Sequence, residues 1–142
     1  MLYSFYDSPH GLMNKNNWST AEDQTILISE CMKNETFRKV VGTKSYETLA
    51  HGGTRLEGLT QYKWENSNKL LGKMEGLLGC KTGITDAAGP CFGGYYEQIK
   101  KDGTIGMKLA IVLCHAETLD HRWVEIRSLV DWTKENKKEI IK

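Results

Sequence analysis

Long apolar runs are missing from this sequence. None of its 142 residues belongs to a stretch of the roughly 18 apolar residues that a membrane helix needs, so no membrane segment is expected. Surplus charge is missing too. Nineteen Lys and Arg stand against 18 Asp and Glu, a formal net charge of +1. That balance gives no global field for nucleic acid or an anionic membrane, so no nucleic-acid partner is expected. The opening Met1-Leu2-Tyr3-Ser4-Phe5-Tyr6-Asp7 lacks the basic end and apolar run of a secretory signal. Read as a whole protein, the chain stays where it is made. Read as part of a longer one, it says nothing about targeting, and localisation stays unknown.

Metal-ligand spacing is also absent. There is no C-x-x-C, and His10, His51, His115 and His121 show neither H-x-x-x-H nor H-E-x-x-H. No metal and no other cofactor is expected. Repeats, low-complexity tracts and internal linkers are lacking, which predicts one piece over 1–142. What is present suits a soluble globular chain: 39% hydrophobic and 26% charged residues. A chain of this size can bury a core without a covalent staple.

The four cysteines, Cys31, Cys80, Cys91 and Cys114, sit among apolar or small neighbours. They read as buried free thiols, since free cysteine packs as a small hydrophobe. A Cys80–Cys91 disulfide is the alternative if their strands are neighbours, and a Cα separation would decide it. Cys114-His115 sets a thiol beside an imidazole, but the apolar run before it favours strand-end packing. Trp18, Trp64, Trp123 and Trp132 read as core or helix-anchoring residues rather than a ligand cage.

The first half of the chain is helical in pattern and the second half strand-rich. Ser19 is placed to cap a helix starting at Thr20-Ala21, with Glu22 at the capping-box position. Apolar residues then recur at three- and four-residue steps until Asn34. Glu35 to Val41 predicts a second short helix, stopped at Gly42. Ala50 to Gly58 reads as loop, Thr60 to Glu65 as extended, and Asn66-Ser67-Asn68 as a turn. Cys91 to Ile99 alternates in part, Asp102-Gly103 signals a hairpin, and Met107 to Cys114 is a buried-strand run. Thr118 to His121 opens a terminal helix with Trp123, Ile126, Leu129, Val130 and Trp132 assigned to one face. Its basic end, Lys134 to Lys142, suits a helix C-terminus. The pattern predicts an α+β arrangement: about three antiparallel strands, a C-terminal helix on the sheet, and a helical N-terminal region.

One motif carries chemistry. In Lys81-Thr82-Gly83 a lysine supplies charge, a threonine a hydroxyl, and a glycine close access to a strand backbone, a set that can hold an anion. Three residues alone are a weak signal, matched by a surface lysine before a turn. The longer run Gly79-Cys80-Lys81-Thr82-Gly83-Ile84-Thr85-Asp86-Ala87-Ala88-Gly89-Pro90-Cys91 resembles the KTG box of the penicillin-binding D-alanyl-D-alanine carboxypeptidases, the S11 serine peptidases. Other segments resemble that family in its order. They are Ser8-Pro9-His10-Gly11-Leu12, the helix start at Ser19 to Asp23, Phe37 to Lys44, Trp64 to Leu71, and Leu129-Val130-Asp131-Trp132.

The resemblance implies a β-lactamase/transpeptidase-like domain and a serine-type carboxypeptidase. Such an enzyme removes the terminal D-alanine of peptidoglycan stem peptides through an acyl-serine, without metal, and is usually extracytoplasmic. Lys81 and Thr82 would hold the terminal carboxylate, Gly83 would give access, and the Ile84 N–H would be one oxyanion donor. Two parts of the pattern are absent. No serine of the chain begins a Ser-x-x-Lys, and the family's Ser-x-Asn, which belongs upstream of His10, is not found. The chain therefore resembles the later part of the catalytic domain, lacking its N-terminal half, and is expected to be inactive by itself. A D-Ala-D-Ala peptide or a β-lactam would bind if the missing half were supplied. The alternatives are a non-catalytic binding or interaction fragment, or one half of a two-chain enzyme. In the family, strands from the absent half pair beside the strand at 107–114. That strand is expected to be left with an open edge and to self-associate, since Met1 to Tyr6 is too short to replace the missing neighbour.

Overall fold

The computed structural model describes residues 1–51 and 58–136. The middle of the expected loop at Ala50 to Gly58 and most of the basic tail lie outside the described residues. Helix α1 spans Ala21–Cys31 and helix α2 spans Glu35–Gly42. Strands β1 (Ser45–His51) and β2 (Leu59–Glu65) pair as a separate antiparallel hairpin. Strands β3 (Leu77–Thr85), β4 (Gly89–Ile99) and β5 (Ile105–Leu113) form the main sheet in the order β3-β4-β5, all antiparallel. Helix α3, His121–Glu135, closes the described chain.

Local chemistry sets the element boundaries. Thr20, not Ser19, is the N-cap of α1; its hydroxyl accepts from the Asp23 N–H at 3.1 Å. Ser19 instead contacts Ser4 and Gln24 across the chain opening. Its hydroxyl cannot cap because the helix begins one residue later than the capping-box pattern placed it. Asn34 caps α2 through Phe37 N–H at 2.9 Å. The hairpin between β4 and β5 turns where Asp-Gly predicts. Gly103 adopts φ 78°, and Asp102 accepts from both the N–H and the hydroxyl of Thr104.

The core lies between the main sheet and α3. Leu77, Phe92, Tyr96, Met107 and Ile111 from the sheet meet Trp123, Ile126 and Val130 from the helix, with Leu70 and Met74 at one end. Phe92 and Trp123 pack edge to face, centroids 6.0 Å apart. The α3 face is narrower than expected. Leu129 is 41% and Trp132 55% exposed, because Trp132 falls half a turn away from Trp123. Trp18 and Trp64 are exposed as well, so Trp123 alone fills the core role assigned to the tryptophans.

Helix α1 lies on the opposite face of the sheet, where Ile28 occupies the space a Cβ on Gly93 would need, at 2.8 Å. Two covered faces make β5 read as central. The observed order puts it at an edge, paired with β4 only among the described residues. Met1 to Tyr6 does not line that edge: Phe5 bridges to Trp18, and Asp23 holds the backbone of Leu2 and Tyr3.

Strand β1 is an element the sequence pattern did not assign. Its pairing brings Tyr46 opposite Trp64, with rings stacked at 6.2 Å, and Tyr62 stacks on Trp64 at 5.6 Å. An isolated two-stranded hairpin is marginal in water, and the cross-strand Tyr46–Trp64 stack, extended along β2 by Tyr62, helps to stabilise it.

Candidate active-site strand

The Lys81-Thr82-Gly83-Ile84 segment lies on β3, the second edge of the main sheet. Along an antiparallel edge strand, part of the backbone N–H and C=O groups point away from the neighbour and stay free to meet a ligand. Lys81 is exposed, and its ammonium donates to the Thr82 carbonyl. Ile84 is 58% exposed. Gly83 faces open space, with nothing within 4 Å of where a Cβ would stand. The segment is approached through Gly79, whose φ of 105° and close contact with the Val41 carbonyl both require glycine.

Thr82 differs from its neighbours in being buried, and its hydroxyl lies 2.6 Å from the Ser67 hydroxyl. Ser67 is held in turn by the asparagines beside it. The Asn66 side chain donates to the carbonyls of Val41 and Thr43 and accepts from the Asn68 N–H. Buried Asn68 accepts from the Leu70 N–H. The stretch read as a plain turn is therefore a bracket behind the Lys81–Ile84 strand. Its polar spacing was visible, but its partner, 15 residues away, was not.

Arg122 was missed altogether. From the first turn of α3 its guanidinium donates to Gly83 O at 3.2 Å and Cys91 O at 3.0 Å. It also stacks over Trp123 at 4.3 Å. Gly83 and Cys91 face each other across β3 and β4, so one side chain ties both strands at that point. No sequence signal marks this role, because the partners are two backbone carbonyls.

The chain opening reaches the end of β3, past Ile84. Tyr6, Pro9, Leu12 and Met13 face Thr85 and Ala88 across an open cleft of about 400 Å³ at the end of β3. The Ser8-Pro9-His10-Gly11-Leu12 segment and the Lys81–Pro90 run thus meet in space. A smaller hollow of about 230 Å³ beside Tyr96 and Lys134 contains none of these residues. Among the described residues no group of three or more His, Cys, Asp or Glu is placed to hold a metal. No described helix is long and apolar enough to cross a membrane.

The cysteines are free as expected, but not buried as expected: Cys31, Cys80 and Cys91 are half-buried and Cys114, past the end of β5, is exposed. The Cys80–Cys91 alternative fails on register. Strands β3 and β4 are neighbours, but Cys80 faces Gly94 and Cys91 faces Gly83. That leaves the two cysteines offset by three strand positions, beyond disulfide reach. Burial pushes the Cys80 thiol up to about 11, and its sulfur meets Met32 Sδ at 3.7 Å.

Comparison with known proteins converges on one group. The sequence profile described as D-alanyl-D-alanine carboxypeptidase matches residues 3–115. A D-alanyl-D-alanine carboxypeptidase of Streptomyces sp. strain K15 is 40% identical over 88 residues, covering 61% of this chain and 29% of that protein. D-alanyl-D-alanine carboxypeptidase DacF of Bacillus subtilis is 28% identical over 127 residues, 89% of this chain and 30% of that protein. The crystal structure of the Streptomyces K15 DD-transpeptidase superposes with a TM-score of 0.78 at 28% identity, over 91% of this chain and 47% of that one. Penicillin-binding protein D2 of Listeria monocytogenes, in its cefotaxime-bound form, gives 0.66 at 25% identity, over 90% of this chain and 47% of that one. The chain spans about a third of the length of these sequence relatives.

Proposed function

This chain belongs to the D-alanyl-D-alanine carboxypeptidase family, and from that membership we propose that it forms the substrate-holding part of a serine-type carboxypeptidase site. The substrate is a peptide ending in D-Ala-D-Ala, of the peptidoglycan stem type, and a β-lactam would enter as its mimic. Lys81 and Thr82 hold the terminal carboxylate. Gly83 lets the substrate backbone lie against β3, and the Ile84 N–H donates to the developing oxyanion.

The observation that carries this reading is the Thr82–Ser67 contact on a strand that is an edge among the described residues. A hydroxyl has one proton and two acceptor positions. If Ser67 donates to Thr82, Thr82 keeps its own proton for a carboxylate, and the contact fixes the direction in which it is offered. Lys81, one residue before it, supplies the charge that makes such a contact charge-assisted.

The serine nucleophile and its lysine lie outside residues 1–142, since none of these serines begins a Ser-x-x-Lys. Acylation therefore needs a segment that carries that motif, in the same polypeptide or in a second one. Residues 1–142 alone should form no covalent adduct with a fluorescent penicillin and release no D-alanine. Joining them to a family N-terminal half should restore both. A label that survives denaturation and maps to a serine of 1–142 would refute this division of labour.

A further inference from the structure

The four thiols fall in different surroundings, and one pair of them faces across a sheet edge. Strands β4 and β5 are in register with Phe92 opposite Leu113. One step further, Cys91 comes opposite Cys114. Phe92 belongs to the core and Leu113 packs against it, so the adjoining cysteines both point to the other face of the sheet. The strands are held together again just beyond the pair, where the Ala116 N–H donates to Pro90 O at 2.9 Å. His115, at φ 58°, takes up the extra residue there, with its Nδ1 3.2 Å from the Ala88 carbonyl. Both thiols are free; Cys91 is half-buried and Cys114 exposed. Burial, and after it the neighbouring Cys91 sulfur, push the Cys114 thiol above its usual range, an independent sign that the two lie close.

We propose that Cys91 and Cys114 form a cross-strand dithiol that small-molecule disulfides convert to an intramolecular disulfide. Directly opposed residues of antiparallel strands have Cα atoms about 4.5–5.5 Å apart. Disulfides need about 4.4–6.8 Å, so the backbone requires little movement. The exposed Cys114 loses its proton and attacks one sulfur of the reagent, forming a mixed disulfide and releasing one small thiolate. The Cys91 thiolate then attacks the Cys114 sulfur, forming the Cys91–Cys114 bond and releasing the second small thiolate. The two cysteine protons end on the two released thiols. The cysteines are oxidised, and one disulfide of the reagent is reduced. The product staples β5, which has one strand neighbour among the described residues, to β4.

The inference stands apart from the carboxypeptidase reading, and its test reads no enzyme activity. The reduced 142-residue chain is incubated with oxidised glutathione, quenched with an alkylating reagent, and analysed by intact mass and non-reducing peptide mapping. The expected product has lost two hydrogens and yields one linked peptide pair containing Cys91 and Cys114. The link should raise Tm by roughly 5–10 °C, reversibly with reductant. Cys91→Ser should instead leave glutathione on Cys114, and Cys114→Ser should leave it on Cys91 or leave Cys91 free. Recovery of Cys91 and Cys114 unlinked from the folded wild-type chain would overturn the proposal. So would a link to Cys31 or Cys80, or a link between two chains. The wild-type map decides even if a serine variant fails to fold.

Discussion

The Arg122 guanidinium is buried and donates to the carbonyls of Gly83 and Cys91. Arg122→Leu keeps apolar bulk against Trp123 but leaves both carbonyls short of a donor. Urea denaturation should show a loss of about 2–4 kcal/mol, since charge-assisted bonds contribute about 1.5–3 kcal/mol each and the leucine recovers part of the packing. An unchanged midpoint and slope would show that the carbonyls find other partners. Asp23 plays a comparable part at the start of α1. The Ser4 hydroxyl, and then the Tyr3 N–H, the chain amine and the Leu2 N–H, hold its carboxyl below the usual carboxylate range against the opposing effect of burial. A depressed folded value stabilises at and above the ordinary carboxylate range and loses that contribution as pH falls through the lowered value. The Leu2 and Tyr3 amides should therefore be ordered at pH 7 and released in NMR spectra only as pH falls below the ordinary carboxylate range. Asp23→Asn should weaken that order at pH 7. Neither role is legible in the sequence. Arg122 looks like a polar residue in a first helical turn, and Asp23 like an ordinary first-turn acid, because their partners, backbone groups and the Ser4 hydroxyl, are brought in by the fold.

At the scale of elements, legibility follows the strength of the local signal. The Asp102-Gly103 hairpin, the apolar run of β5 and the helices α2 and α3 follow from turn chemistry and periodicity. Strand β1 does not, since Ser45–His51 acquires its extended form from the Tyr46–Trp64 pairing. The α3 face is narrower than its apolar residues suggest, because hydrophobicity alone does not fix the face; the angle about the helix places Trp132 on the far side. Strand β5 has both faces covered and one edge unpaired among the described residues, which invites edge-to-edge pairing. Residues 1–142 should self-associate in light scattering, and a supplied N-terminal half should make them monomeric. Hydrogen exchange along 107–113 should slow at the same time. A monodisperse monomer with slow exchange along the whole strand would mean that the edge is covered from within.

For the molecule as a whole, the family resemblance rests on the Gly79–Cys91 run and five other ordered segments, and the fold brings Ser8–Leu12 and the Thr85–Ala88 end of that run to one cleft. What no sequence pattern showed is the support behind the Lys81–Ile84 strand: Ser67 on Thr82, and Arg122 on Gly83. The central claim is that the Lys81–Ile84 strand binds the substrate carboxylate for a nucleophile carried elsewhere. Its most direct measurement is the acylation rate of residues 1–142 joined to a Ser-x-x-Lys half, followed with a fluorescent penicillin, with and without Lys81→Ala. Loss of one desolvated charge-assisted contact, about 1.5–3 kcal/mol, predicts a rate at least tenfold lower in the variant, with the fold intact by circular dichroism. An equal rate in the two proteins would contradict the claim and leave Lys81 a surface lysine on a structural strand.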